Sequence, residues 1–202
     1  MIAIIDYGMG NLRSVQKAFE RVGATAKITD SAEDLKSAEK IVLPGVGAVR
    51  PAMEKLEQLN LIDPIQSNIQ SGKLFLGICL GFQLLFDKSE EGGESKALGI
   101  LPGTVKRFEG DIRVPHMGWN TLQLNQTDCA LFKNLPTDAS VYFCHSYYAC
   151  PEDNSVTATS TEYGKTFTSS VHYENIYGTQ FHPEKSQSIG LNMLKNFTEI
   201  SS

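Results

Sequence analysis

The sequence predicts an α/β fold: a mostly parallel sheet flanked by helices, with a smaller antiparallel extension in the second half of the chain. Apolar segments alternate with amphipathic ones through the first half, a pattern typical of βαβ units with buried parallel strands. Beyond Gly92, short segments of alternating polarity dominate, and these indicate antiparallel strands. The 202 residues, 41% of them hydrophobic, are enough for one sizeable core, so we expect a single domain over residues 1–202.

The elements of the first half follow from hydrophobic spacing and from helix-capping residues. Leu12, Val15 and Phe19 recur at helical spacing. They lie between Asn11, a favourable N-cap, and Gly23, a favourable C-terminal residue. The predicted order is strand 1–7, helix 11–23, strand 24–29, a short acidic helix from residue 30 or 31, strand 40–43, helices 51–59 and 62–71, strand 74–78 and helix 80–86.

The elements of the second half follow from period-two alternation and from turn residues. Glu174 and Asn175 separate the last two strands and suit a hairpin turn. We expect these strands to form an antiparallel extension of the sheet or a second small sheet. The predicted order is strands 104–108, 121–124, 140–149, 166–171 and 176–181, followed by helix 188–200.

Composition excludes several classes of function. The formal net charge is -5, whereas binding to nucleic acid or to an anionic membrane needs a basic surface. The longest apolar run, 74–86, is shorter than a membrane span, and the N-terminus lacks the basic segment of a signal peptide. The four cysteines have no paired spacing, so we expect reduced thiols in a cytoplasmic protein, with no metal site and no cofactor.

Cys79 is the most informative residue of the chain. It lies between Gly77 and Gly81, where a predicted buried strand is followed directly by a helix. This is a thiol version of the G-x-S-x-G nucleophile elbow. The turn is tight, and we expect side chains two residues before and after the nucleophile to clash with it unless both are small. Such a turn presents the sulfur at the carboxyl edge of a parallel sheet, where nearby amides can hold an oxyanion. The alternative is a structural cysteine in a glycine-rich turn.

His182 is the best candidate for the base that a thiol nucleophile needs. It is followed by Pro183, which pushes the preceding residue into an extended conformation, and then by Glu184. Residues i and i+2 of an extended chain point to the same side, so we expect the Glu184 carboxylate beside His182. The carboxylate would accept the Nδ1 proton and leave Nε2 for Cys79. For His182 alone, a solvated histidine without a catalytic role is the alternative.

A glycine-rich turn, 44–48, ends another predicted parallel strand. Its glycines allow backbone amides to point inward, as an oxyanion hole requires. A phosphate-binding loop is the alternative, but no Lys-Ser/Thr pair follows the glycines, which argues against nucleotide binding.

Several motifs together resemble the class I, or triad, glutamine amidotransferases. The motifs shared with the whole family are PGVGA at 44–48, GICLGFQLL at 77–85 and QFHPEKS at 180–186. Within the family, further motifs resemble the glutaminase subunits of imidazole glycerol phosphate synthase, an enzyme of L-histidine biosynthesis. These are DYGMGNLRSV at 6–15, VPHMGWN at 114–120 and HSYY at 145–148. The resemblance covers essentially the whole chain.

The resemblance implies a glutaminase that converts glutamine to glutamate and ammonia through a cysteine thioester. The residues that match the catalytic triad are Cys79, His182 and Glu184. The backbone amides that match the oxyanion hole are those of Val46, Gly47 and Leu80. The residues that match positions around the amino-acid end of glutamine are Gly47, Gln83, Ser146 and Tyr147.

The resemblance also implies a partner, a (β/α)8-barrel cyclase subunit that forms a heterodimer with the glutaminase. The cyclase would use the ammonia to make imidazole glycerol phosphate and an aminoimidazole carboxamide ribonucleotide. Ammonia released into water would be protonated and lost, so we expect direct transfer and an activity that depends on the partner. The residues that match partner-facing positions are Asn11, Pro115, Met117, Trp119, Tyr142 and Lys185. Trp119, the only tryptophan, lies in a predicted loop and is a candidate interface anchor.

Three alternatives remain open from the sequence. A glutaminase of a pyridoxal phosphate, purine or anthranilate synthase would share the triad, but residues 114–120 and Lys185 argue against it. A different cysteine-elbow enzyme would not need a carboxylate two residues after the histidine. A binding module without activity would be expected to lack the thiol. No chemistry is assigned to the remaining cysteines and histidines, which are Cys129, Cys144, Cys150, His116, His145 and His172.

Overall fold

The first half of the chain forms parallel strands covered by helices, as predicted. In the computed structural model, which describes residues 1–201, the strands β1, β3 and β4 are buried at every residue. The elements are β1 Ile2–Ile5, α1 Leu12–Arg21, β2 Ala26–Thr29, α2 Ala32–Ser37, β3 Lys40–Gly45, α3 Val49–Gln58, α4 Ile62–Gln70, β4 Leu74–Cys79 and α5 Leu80–Gln83.

The second half is mostly strand and ends in a long helix. Its elements are β5 Phe86–Ser89, β6 Ser95–Lys96, β7 Leu101–Arg107, β8 His116–Thr121, β9 Gln123–Leu124, β10 Ser140–His145, β11 Tyr147–Pro151, β12 Thr157–Glu162, β13 Thr166–Tyr173, β14 Ile176–Thr179 and α6 Gln187–Glu199. Short 3-10 turns occupy Ala130–Phe132, Asn154–Val156 and Pro183–Lys185.

One large sheet runs in the order β2-β1-β3-β4-β14-β13-β11-β7-β5-β6, and β9 and β12 attach to it through β13. The strands from β2 to β14 are parallel, and the pairs β14–β13, β13–β11 and β11–β7 are antiparallel. Beyond them, β7 pairs in parallel with β5, and β5 pairs antiparallel with β6. Strands β8 and β10 form a separate antiparallel pair. The predicted fold class is therefore confirmed, and the antiparallel part includes both an extension and a second small sheet.

The two faces of the parallel strands carry separate hydrophobic clusters. Ile4, Val42 and Leu76 face one cluster, which includes α1 and α6, while Ile5 and Leu43 face the other. Because β3 and β4 are neighbours in register, their carboxyl ends meet at one edge of the sheet, where Gly45 is the register partner of Cys79. This edge is where ligand crevices form in parallel sheets.

Several element boundaries differ from the prediction. The helix expected over 80–86 ends at Gln83, because Phe86 already begins β5. The segment 140–149 divides at Ser146 into β10 and β11, which belong to different sheets. Asn11 occupies the N-cap position of α1, but its side chain makes no capping hydrogen bond. No helix within residues 1–201 is long and apolar enough to cross a membrane.

Candidate active site

Cys79 lies at the junction of β4 and α5 in a backbone conformation that is rare for a residue with a side chain, with φ 55° and ψ −104°. A Cβ on Gly77 would lie 2.5 Å from the carbonyl oxygen of Gly81, and a Cβ on Gly81 would overlap the carbonyl oxygen of Leu43. Both glycines are therefore required, as expected for a nucleophile elbow. The clash that they avoid involves neighbouring backbone rather than the cysteine side chain.

His182 and Glu184 form a buried pair beside this elbow. The distance from His182 Nδ1 to Glu184 Oε1 is 2.9 Å, and both side chains are almost inaccessible to solvent. The main chain of His182 is held on both sides, since its amide donates to the carbonyl of Tyr142 and its carbonyl accepts from the Ser186 hydroxyl. Glu184 reaches the ring through a 3-10 turn, Pro183–Lys185, and not through the extended chain that the sequence suggested.

The ionisation of His182 reflects both burial and its two partners. Burial alone would lower the pKa of His182, but hydrogen bonds to Cys79 and Glu184, together with the charges of both, raise it above the usual 6.5. The ring is therefore suited to hold a proton next to the sulfur. Gln180 approaches the same sulfur, with its Nε2 3.9 Å from Cys79 Sγ.

Cys79 and His182 both line a cavity of about 440 Å³ at the carboxyl edge of the sheet. The cavity brings together the residues selected for the oxyanion hole and for glutamine binding, which are Val46, Gly47, Leu80, Gln83, Ser146 and Tyr147. Gly47 has φ 95°, a conformation that favours glycine, so the turn after β3 bends beside the sulfur. The carboxamide nitrogen of Gln83 donates to the carbonyl of Tyr147 at 2.9 Å and to Gln180 Oε1 at 3.0 Å.

The sequence matches the family described as "Glutamine amidotransferase class-I" over residues 3–200. "Imidazole glycerol phosphate synthase subunit HisH" of Syntrophotalea carbinolica is 52% identical, and the match covers 99% of this chain and all of the relative. The subunit hisH of Cyanophora paradoxa is 53% identical, with 99% of this chain and 94% of the relative covered. The chain belongs to the class I glutamine amidotransferases, in the group of the HisH subunits. It is accordingly an enzyme, a glutaminase subunit, which confirms the function predicted from the sequence.

Solved structures of other amidotransferases share the fold of this chain. A glutamine amidotransferase from Thermotoga maritima superposes with a TM-score of 0.70 at 16% identity, covering 98% of this chain and 96% of its own. PurLQS from the same organism superposes with a TM-score of 0.71 at 20% identity, covering 98% and 95%. At this identity the likeness concerns the fold alone.

The residues selected for the partner interface of this amidotransferase lie mostly around the mouth of the cavity. Pro115 and Lys185 line the cavity itself. Met117 and Trp119 are exposed to 61% and 49%. Tyr142 lies between Trp119 and Lys185, with its ring 6.2 Å from the Trp119 ring and 5.9 Å from Lys185 Nζ. We call Met117, Trp119, Tyr142 and Lys185 the mouth surface.

Two details of this surface differ from the prediction. Trp119 is exposed as expected, but it lies in strand β8 and not in a loop. Asn11 is also exposed, yet it lines a different groove, beside α1 and β2. Gly10, next to it, packs against Gly45, so the two regions meet at the carboxyl end of β3.

Four residues of the cavity were not selected from the sequence: Ala48, Glu91, Cys144 and His145. Glu91 lies between β5 and β6, where its carboxylate accepts a hydrogen bond from the amide of Val49 and burial raises its pKa. His145 is buried, and it lies near enough to His182 that the charge of His182 contributes to lowering its pKa. The HSYY motif contained His145, but nothing in the spacing indicated a place in the cavity. Within residues 1–201 no group of three or more His, Cys, Asp or Glu side chains is arranged to hold a metal ion.

Proposed function

We propose that Cys79, His182 and Glu184 are the catalytic triad with which this chain hydrolyses glutamine for an imidazole glycerol phosphate synthase. The observation that carries the proposal is the strained elbow of Cys79, which shares a cavity with the buried His182–Glu184 pair. A nucleophile, a base and a group that orients the base are the parts that acyl transfer through a thioester needs.

The reaction begins when the Cys79 sulfur attacks the carboxamide carbon of glutamine. The carbonyl oxygen gains negative charge and accepts hydrogen bonds from the amides of Leu80 and of the turn at Val46 and Gly47. His182 donates its proton to the leaving nitrogen, so the C–N bond breaks and ammonia and a glutamyl thioester form. The neutral imidazole then takes a proton from water as the water oxygen attacks the thioester carbon. The C–S bond breaks, glutamate is released, and the Cys79 thiolate and the His182 imidazolium are restored.

The wall opposite the triad provides groups for the amino-acid end of glutamine. Gln83, Ser146 and Tyr147, together with Gly47, present amide, hydroxyl and backbone groups to the cavity. Glu91 is the one carboxylate among the cavity-lining residues of the described chain, and it suits the α-ammonium group because opposite charges attract strongly in a partly buried site.

The partner is a cyclase with a (β/α)8-barrel fold, which covers the mouth surface and receives the ammonia. The relatives at 52% identity are named as subunits of a synthase, which supports an assembly of this kind. Two exposed apolar side chains at the mouth, Met117 and Trp119, suit burial under a partner. We place the heterodimer in the cytoplasm, where the free cysteines of this chain would stay reduced.

Glutamate release from glutamine, measured with the chain bound to its cyclase and the nucleotide ligand of the cyclase, tests this proposal. The variant Cys79→Ala should lose activity to the background level, because no other group of the triad can form the thioester. Cys150→Ala, which removes a half-buried thiol outside the cavity, is the matched control and should stay active. Glutamate release that persists in Cys79→Ala would overturn the mechanism.

A further inference from the structure

A chain of hydrogen bonds connects strand β8 to the glutamine cavity through two buried histidines. His116 Nδ1 lies 2.9 Å from His145 Nε2, and His145 Nδ1 lies 2.8 Å from the carbonyl oxygen of Tyr147. On the other side, the amide nitrogen of Asn120 lies 3.3 Å from His116 Nε2. The mechanism proposed above uses neither ring.

The partners of each ring determine where its proton lies. The Tyr147 carbonyl can only accept, so His145 carries its proton on Nδ1 and has a lone pair on Nε2. His116 must then donate from Nδ1 and accept at Nε2 from Asn120. The Asn120 amide is itself oriented, because it donates to the carbonyl of Glu162 and accepts from the amide of Thr121.

The surroundings keep both rings neutral and fixed. His116 is stacked between Tyr163 and Phe143, with ring centroids 3.9 Å and 4.7 Å away, and Phe108 packs against His145. Burial lowers the pKa of His116 to about 4 and that of His145 to about 3, so neither ring takes up a second proton at neutral pH. A second proton on His145 would lie on Nε2 and face the Nδ1 proton of His116, and a second proton on His116 would face the amide protons of Asn120.

The inner end of this chain reaches the residues around the substrate. The Tyr147 carbonyl accepts from His145 and also from the Gln83 amide, which in turn donates to Gln180 beside the Cys79 sulfur. The orientation of the Gln83 amide therefore depends on a carbonyl that His145 holds in place.

The outer end lies on the strand that carries the mouth surface. Along β8, His116 and Asn120 point inward, whereas Met117 and Trp119 point outward. A partner that shifts β8 by contact with the outer side chains would shift the two inner ones with it.

We propose that His116 and His145 are positioning residues that link strand β8 to the glutamine cavity, by holding the Tyr147 carbonyl and through it the Gln83 amide. The proposal rests on the function proposed above. His116 lies outside the cavity, and both ring nitrogens of His145 are engaged by His116 and by the Tyr147 carbonyl. The loss of either ring therefore weakens substrate binding and leaves the chemistry of Cys79 and His182 in place.

Paired substitutions separate the hydrogen bonds from the bulk of the rings. Asparagine places an amide where Nδ1 lies and keeps the inward hydrogen bond, whereas glutamine places its amide at Nε2 and loses that bond. With the cyclase bound, His145→Gln and His116→Gln should raise KM for glutamine about tenfold, as expected for one lost hydrogen bond, with kcat within about twofold. His145→Asn and His116→Asn should give KM values well below those of their glutamine counterparts.

His172→Gln is the control, because His172 bonds to Gln126 and stacks on Tyr177 away from the cavity, and it should leave KM unchanged. Nitrogen NMR of the imidazole rings should show both His116 and His145 protonated at Nδ1. Equal KM values for the Asn and Gln variants, or either ring protonated at Nε2, would overturn the positioning role. An inactive wild-type complex would instead overturn the proposed function on which it rests.

Discussion

At the scale of single residues, the protonation of His182 depends on the carboxylate two positions after it. Glu184 lies 2.9 Å from Nδ1, and both side chains are almost inaccessible to solvent, so its negative charge is little screened. A negative charge at this distance favours the imidazolium form and fixes the tautomer in which Nε2 faces the sulfur. In the proposed mechanism, the carboxylate would therefore control both the proton that ammonia needs and the direction from which that proton arrives.

Replacing Glu184 with Gln should therefore lower the pKa of His182 and also lower kcat. The amide removes the charge that favours the imidazolium and can donate to Nδ1, which gives the wrong tautomer. The comparable change in a serine protease triad costs about 10⁴-fold in kcat, so we expect a loss of roughly 10²- to 10⁴-fold. Iodoacetamide alkylates the thiolate form of Cys79, which the imidazolium of His182 stabilises. The pH dependence of this alkylation therefore measures the change in the pKa of His182.

The control for this substitution is Glu199→Gln, because Glu199 forms only an exposed ion pair with Lys195. An alkylation profile with the same midpoint in Glu184→Gln and in the wild type would contradict the assigned role of the carboxylate.

The residues of the triad could be selected from the sequence because each one lies in a short motif of fixed spacing. Gly77 and Gly81 flank Cys79, and Glu184 follows His182 by two positions. Glu91 and His145 could not be selected in this way. They reach the cavity through a turn between two short strands and through the pairing of β10 with β8, and no local pattern encodes those contacts.

At the scale of secondary-structure elements, the sequence did not predict strands in which polar and apolar residues are distributed unusually. Strand β12, TATSTE, is buried at five of its six residues, yet it has no apolar alternation. Its hydroxyls pair inside the protein, since Thr159 bonds to both Ser169 and Ser170 of β13. Strand β8 was mistaken for a loop because Gly118 and Pro115 suggest a turn and because its outward residues are apolar.

Helix α6 depends on a lysine from the far end of strand β3. Lys40 is buried, and its ammonium donates to the carbonyls of Phe197, Thr198 and Ile200 at the C-terminus of the helix. A positive charge is favourable at this end of a helix, where carbonyls lack partners. Lys40 lies at the amino end of β3, opposite the carboxyl edge that holds Cys79.

The variant Lys40→Met should therefore lower the free energy of unfolding by about 2–4 kcal/mol, because one buried and two partly buried carbonyls lose a charged donor. Its kcat for glutamine should stay within about twofold of the wild type when the protein is folded. Urea denaturation measures the first quantity and glutamate release measures the second. Lys27→Met is the control, because the ion pair of Lys27 with Asp34 is half-exposed and should contribute at most about 1 kcal/mol. Equal stability of the two variants would show that the lysine does not hold the helix end.

At the scale of the whole molecule, half of the large hydrophobic side chains that are exposed in residues 1–201 lie around the cavity. Val46, which lines the cavity, is 44% exposed, and Met117 and Trp119 are exposed on β8, the strand that follows the cavity-lining residue Pro115. Exposed apolar groups that adjoin a cavity mark an interaction surface more often than a free one. A partner on this surface would close the exit of the ammonia and would touch the turn that stabilises the oxyanion.

Trp119 should carry a large share of the affinity for the cyclase. It is the only tryptophan, and its ring lies against Tyr142 at the centre of the mouth surface. Truncation of a tryptophan anchor costs about 2 kcal/mol or more, so Trp119→Ala should raise the Kd of the complex at least about thirtyfold. Isothermal titration of the chain with its cyclase measures the change.

Tyr173→Ala supplies the control for this prediction, because Tyr173 is an equally exposed aromatic residue at the opposite edge of the sheet, beside the start of β14. Its removal should leave the Kd unchanged.

Glutamate release by the Trp119→Ala chain should regain the wild-type rate when the concentration of the cyclase is raised well above the new Kd, since the substitution removes a docking contact and leaves the cavity intact. A rate that stays low at saturation would mean that Trp119 acts on catalysis through β8 and His116, and equal Kd values for the two variants would place the partner elsewhere.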